Sequence, residues 1–155
     1  MITYVKGNLL DSNCDYICHQ VNCRGVMGSG IAKQIRDRFP YVYRFYRDRY
    51  ENVLRINMSP DKMLGSADIV RIPNDGRHIV NMYSQRSYGH DGKRYTSYKA
   101  FSFILNQLKD DIPTECTIGF PKYIGCGLGG GNWQIISGLI EDILGDTHNI
   151  YIYEL

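Results

Sequence analysis

A chain of 155 residues with 43% hydrophobic content can build one well-packed core and is too short for two ordinary domains. Its net charge of +2 is too small to argue for general nucleic-acid binding, so charge alone names no partner. Five cysteines, Cys14, Cys18, Cys23, Cys116 and Cys126, form no C-x-x-C pair, which excludes the common zinc spacings and fits reduced thiols in a cytoplasmic protein. No metal site is expected. The first residues, Met1 to Lys6, hold no long apolar segment, and no later run approaches membrane-spanning length, so neither export nor a membrane partner is expected.

In chain order, Ile2 to Lys6 is rich in β-branched and aromatic residues and predicts a first strand. After the turn cluster Asp11-Ser12-Asn13, Tyr16 to Val21 predicts a second, with Ile17, His19 and Val21 on one face and Cys18 and Gln20 on the other. A glycine loop, Gly25-Val26-Met27-Gly28-Ser29-Gly30, follows it. From Ser29 the period becomes helical through Ile31, Ala32, Ile35 and Phe39, and Pro40 forces a break.

Tyr41 to Tyr50 interleaves aromatics with arginines and predicts another helix, either a nucleic-acid contact through stacking and phosphate pairing or an amphipathic surface. Val53 to Lys62 has no clear pattern. Ala67 to Ile72 and His78 to Ser84 predict two strands paired across the turn Pro73-Asn74-Asp75-Gly76. The polar loop Gln85 to Arg94 precedes a helix marked by Tyr98, Phe101, Leu105 and Leu108.

Thr117 to Phe120 then predicts a strand feeding Gly119 to Trp133, which packs five glycines into the seven residues from Gly125 to Gly131. Trp133 to Ile143 predicts the last helix, stopped at Gly145, and Ile150 to Tyr153 a closing strand. Strands alternating with helices imply an α/β layer architecture around a parallel or mixed sheet. Ligands of such sheets sit beyond the carboxyl ends of the strands, where both glycine loops fall. Backbone amides at glycine turns and helix N-termini suit phosphate, and two such loops suggest one ligand carrying a diphosphate. Neither loop ends in G-K-[ST], so a nucleotide-hydrolysing P-loop is disfavoured.

The segments Lys6-Gly-Asn-Leu-Leu10, His19-Gln-Val-Asn-Cys-Arg-Gly-Val-Met-Gly-Ser-Gly-Ile-Ala32, Pro121-Lys-Tyr-Ile-Gly-Cys-Gly-Leu-Gly-Gly-Gly-Asn-Trp133 and a final Tyr-Glu-Leu stand in the order of the macrodomain family. The chain resembles that family over nearly its whole length. Within it the likeness is to the terminal ADP-ribose protein glycohydrolases and the yeast-type and phage ADP-ribose-1″-phosphate phosphatases. The resemblance implies a three-layer α/β/α sandwich with a mixed central sheet, binding ADP-ribose or an ADP-ribosylated derivative without a cofactor.

It also implies roles for particular residues. Asn8 and Leu9 fall where adenine is contacted, with Tyr153 and Leu155 lining that end. Most macrodomains carry Asp where Asn8 stands, and the uncharged amide still accepts a hydrogen bond. The first loop, Gly25, Met27, Gly28, Ser29, Gly30, Ile31 and Ala32, holds one side of the diphosphate and the distal ribose, and Asn22 joins the binding residues as the holder of an ordered water beside His19. Tyr123, Ile124, Gly125, Cys126, Gly127, Leu128 and Gly129 hold the other.

The glycohydrolase lysine and aspartate are replaced here by Gln85 and Gly129, neither of which can form an imine-type adduct or act as a base. The phosphatase-like pattern instead marks His19 as general acid or base, with Asp91 as its carboxylate partner or His90 in place of either. Three functions follow: a hydrolase removing a substituent from the distal ribose, a non-catalytic ADP-ribose reader, and a recogniser of ADP-ribosylated nucleic acid.

Overall fold

The computed structural model describes residues 1–155 and places six strands and four helices in the order β1 (Ile2–Lys6), β2 (Tyr16–Val21), α1 (Gly30–Arg38), α2 (Pro40–Arg55), β3 (Ala67–Arg71), β4 (His78–Tyr83), α3 (Tyr98–Asp111), β5 (Thr117–Pro121), α4 (Trp133–Leu144) and β6 (Asn149–Glu154). The sheet runs β1-β6-β5-β2-β4-β3. Every neighbouring pair is parallel except β3 and β4, which form an antiparallel hairpin with Ile69 opposite Val80. The turn closing it has Asn74 and Gly76 at positive φ, 60° and 92°, as its Asn-Asp-Gly chemistry anticipates.

Alternation along β2 decides which helices cover which face. Cys18 packs with Phe101, Leu105, Ile136 and Ile140 in the core made by α3 and α4. Ile17 points the other way, into a core with Ile35 of α1 and Val42 of α2, while Val21 joins Tyr46 and Tyr83 at the upper end of that face. The sheet therefore lies between two helical layers. The expected three-layer sandwich with a mixed sheet is the fold.

α2 explains the unassigned stretch, since its helix runs on to Arg55 before a short turn at Pro60–Met63. Its aromatic and arginine residues serve mostly as structure. Tyr46 is fully buried, Arg49 pairs with Asp68 at 2.6 Å, and Arg47 donates to Glu51 and to the Gly25 carbonyl, both at 2.9 Å. These contacts bind α2 to β3 and to the first glycine loop. Gly145 ends α4 in a right-handed conformation, φ −61° and ψ −34°, instead of the left-handed cap common for glycine. All five cysteines are free thiols. No helix is long and apolar enough to cross a membrane.

Candidate functional site

The carboxyl ends of β2, β4 and β5 open into a cavity of about 560 Å³ walled by both glycine loops. The first wall is shaped by Asn22. Its amide group donates to the Val26 carbonyl at 2.9 Å, its Oδ1 accepts from the Arg24 amide at 2.9 Å, and the buried Tyr46 hydroxyl donates to its carbonyl at 2.7 Å. This bends the chain so that Gly28, Ser29, Gly30, Ile31 and Ala32 line the cavity. Ser29 caps α1 without a side-chain hydrogen bond, whereas Ser97 and Asn132 both cap their helices with one. The first-turn amides of α1 thus face the cavity with no acceptor of their own.

The second wall works differently from the sequence expectation. Asn132 Oδ1 accepts from the amides of Gln134 and Ile135, so the N-terminus of α4 is closed by its own cap. What faces the cavity is the glycine turn itself, through Gly125, Gly127, Leu128 and Gly129. The turn is folded on itself by Gly131 N to Gly125 O at 2.8 Å and Gly130 N to Gly127 O at 3.0 Å. Gly125 sits at φ 73° with its α-carbon against Gln20 and Thr96, which requires glycine.

Between the loops lies a polar floor. Gln20 Nε2 donates to Gln85 Oε1 at 2.5 Å and to Thr96 Oγ1 at 2.9 Å, and Ser84 Oγ donates to Gln20 Oε1 at 2.6 Å. Thr96 Oγ1 in turn donates to the Gly125 carbonyl at 2.7 Å, tying the floor to the second wall. A Cβ on Gly129 would stand 2.6 Å from Thr96 Oγ1 and 2.7 Å from the Gly125 carbonyl, so this backbone has no room for a carboxylate there. Across the open side, Tyr88, Gly89 and His90 complete the cavity.

Several expected site residues stand elsewhere. His19 is fully buried on the α1/α2 face, its Nε2 2.6 Å from Asn81 Oδ1, and it does not reach the cavity. Burial lowers its pKa to about 4 against the raising effect of the Asn81 contact, so near neutral pH it is an uncharged core imidazole. His19 as a catalytic group is therefore corrected: it stands with Ile17 on the α1/α2 side of β2, while Gln20 and Val21 at the end of the strand line the cavity. Asp91 is also outside the cavity lining, on an exposed loop, where Lys93 N and the Tyr95 hydroxyl bond its carboxylate and hold its pKa below the usual range.

Among the expected binding residues, Asn22, Gln85, Tyr123, Ile124 and the remaining loop positions named above line the cavity, but seven do not, among them Tyr153, which packs against the core beneath α1 and α2. Gly25 is behind the loop, at φ 73°, because a Cβ there would meet Arg47 and the Tyr50 ring. Met27 is buried in the core beside Tyr46, and Cys126 turns its thiol to the Ile124 carbonyl at 3.4 Å. Asn8 accepts from the Leu10 amide at 3.0 Å, Leu9 is buried under β5, and Leu155 is largely exposed. The cavity adds Gln20, Val21, Val26, Tyr88, Gly89, His90, Pro121 and Lys122. Alternation along β2 pairs Gln20 with Cys18 on one face, but nothing in the sequence marked that face as the one reaching the site. No group of three or more His, Cys, Asp or Glu side chains is placed to hold a metal ion.

A mixed six-stranded sheet between helical pairs, with two glycine walls at the carboxyl edge, defines the macrodomain architecture. The macrodomain of Thermus aquaticus DarG superposes with a TM-score of 0.77 at 26% identity, covering 100% of this chain and 99% of that one. Thermosipho africanus DarTG, solved in complex with ADP-ribose, gives a TM-score of 0.76 at 22% identity over 98% of this chain and 41% of that one. In sequence the chain is 25% identical to human ADP-ribose glycohydrolase OARD1 over 158 residues, 99% of this chain and 91% of that protein. It is 28% identical to an uncharacterized 17.5 kDa protein of phage T4, over 91% of this chain and 88% of that protein. It is 46% identical to the DNA ADP-ribosyl glycohydrolase of Mycobacterium tuberculosis, but over 46 residues alone, 30% of this chain and 13% of that protein. No protein-family model matches. The chain has the macrodomain fold, and its sequence likeness runs to proteins named as ADP-ribose glycohydrolases and ADP-ribose-1″-phosphate phosphatases.

Proposed function

We propose that this macrodomain binds ADP-ribose and hydrolyses a substituent from its distal ribose. The observation that carries the reading is the pair of glycine walls, each presenting amides without backbone acceptors across one cavity. The diphosphate lies between them, held by the first turn of α1 on one side and the Gly127–Gly129 turn on the other. The distal ribose rests on the Gln20–Gln85 floor, whose amides fix its hydroxyls.

Among the side chains lining the cavity, His90 carries the one imidazole, a group that can both accept and donate a proton. It takes a proton from the attacking water and returns it to the leaving group as the bond to the ribose breaks. Positioning by the two walls supplies proximity, and their amides balance negative charge.

A second reading, a reader without turnover, is favoured by one observation. Gln85 stands where the glycohydrolase lysine is expected, and Gly129 has no space for the aspartate.

Calorimetry with ADP-ribose, run beside hydrolysis of ADP-ribose-1″-phosphate, ADP-ribosylated peptide and ADP-ribosylated DNA, decides between them. The hydrolase reading expects turnover that falls about 10²- to 10⁴-fold in His90→Ala with unchanged ADP-ribose affinity. His19→Ala should keep its turnover per folded molecule. Tight binding with no turnover on any substrate would leave the reader.

A further inference from the structure

Tyr123 occupies a backbone position that chemistry would assign to glycine. Ile124 N donates to Pro121 O at 3.1 Å, closing a four-residue turn in which Tyr123 is third, at φ 68°. The third position of such a turn with positive φ favours Gly or Asn. The other two non-glycine residues at positive φ in this chain are asparagines, Asn57 and Asn74, so Tyr123 is the one bulky side chain held there.

The strained residue is not hidden. Tyr123 is 49% exposed and lies on the cavity rim. Its ring is fixed from two sides, by Trp133 with centroids 5.7 Å apart at 63°, and by Lys122 Nζ 5.0 Å from its centroid. Lys122 is itself anchored on Glu154 at 3.6 Å and stands 5.9 Å from the Tyr4 ring. A side chain that served packing alone would be buried, and a glycine here would relieve the backbone.

Sheet order gives the ring its place relative to the ligand. β5 and β4 flank β2 on opposite sides, so the Pro121–Tyr123 turn and Gln85 stand at opposite ends of the cavity. With the distal ribose on the Gln20–Gln85 floor and the diphosphate between the walls, the nucleoside extends toward β5. We infer that Tyr123 is the residue that selects the nucleoside half of the ligand, its ring a preset platform for the base. This rests on the ADP-ribose reading above.

The test is calorimetry with ADP-ribose and with ADP, which keeps the nucleoside and diphosphate but lacks the distal ribose, on wild type, Tyr123→Gly and Tyr123→Phe, with a melting curve of each. Tyr123→Gly should bind both ligands about tenfold or more weakly, the loss typical of a base–aromatic stack. Its melting temperature should be equal to or above wild type, because glycine removes the strain. Tyr123→Phe should bind like wild type. Unchanged affinity in Tyr123→Gly would overturn the inference, and so would a melting temperature several degrees lower, which would make the ring a structural staple. Failure of wild type to bind ADP-ribose is a separate result that removes the functional reading itself.

Discussion

Gln20 and Gln85, 65 residues apart, meet side chain to side chain at 2.5 Å on the cavity floor, one from the end of β2 and the other from just beyond β4. The pair joins two adjacent parallel strands at the point where the chemistry is proposed. Because Gln85 also donates to the Ser87 carbonyl at 2.8 Å, it fixes the start of the loop that carries His90.

Gln85→Ala removes both of those hydrogen bonds and leaves Gln20 Nε2 with Thr96 as its one acceptor, while Ser84 still donates to Gln20 Oε1. A stability loss of about 1–2 kcal/mol is expected from urea unfolding. Turnover should fall more than ADP-ribose affinity, because the residue orients the reacting end. An equal fall in both would make it a simple binding contact.

Gly127 has open space where a Cβ would project, and its backbone is not in the left-handed region. Gly127→Val should therefore fold normally, with a melting temperature within a few degrees of wild type. Its isopropyl group fills the second wall, so ADP-ribose binding should be undetectable by calorimetry. Retained affinity in the folded variant would remove the two-wall cradle.

The Tyr46 hydroxyl lies 2.7 Å from the Asn22 carbonyl and 2.9 Å from its Oδ1, inside the core. Tyr46→Phe keeps the packing and releases Asn22, the residue that bends the first wall. A destabilisation of about 1–2 kcal/mol by denaturant is expected, together with weaker ADP-ribose binding. Full affinity would mean the loop holds its shape without α2.

His19 titrates near 4 in the folded chain and near 6.5 unfolded, so between those values the unfolded state binds more protons. Its contribution to stability is complete above pH 6.5 and is lost as pH falls toward 4. The full difference is about 3 kcal/mol. His19→Leu should flatten the wild-type stability difference between pH 7.5 and 4.5 by about 2.5 kcal/mol, measured by urea unfolding. An identical pH dependence in the two proteins would contradict a neutral buried imidazole.

Much of the fold was legible because its signals are local. Alternation in β2, the Pro73–Gly76 turn and the Asn132 cap are each readable within a few residues, and the layers follow from them. His19 was misjudged because a strand's alternation tells which side chains share a face but not which face leads to the cavity. Only the position of α1 and α2 settles that. Gly25 and Met27 lie inside a ligand-like motif, yet contacts with Arg47 and Tyr46, some twenty residues on, turn them inward. Tyr88 and His90 come from a loop without periodicity, and only the fold brings it over the floor.

The outer strand β1 pairs solely with β6, Ile2 opposite Ile150 and Lys6 opposite Glu154. β1 thus enters the sheet only through its pairing with the far-removed β6. Contacts that span so much of the chain slow folding, since loop closure must precede them.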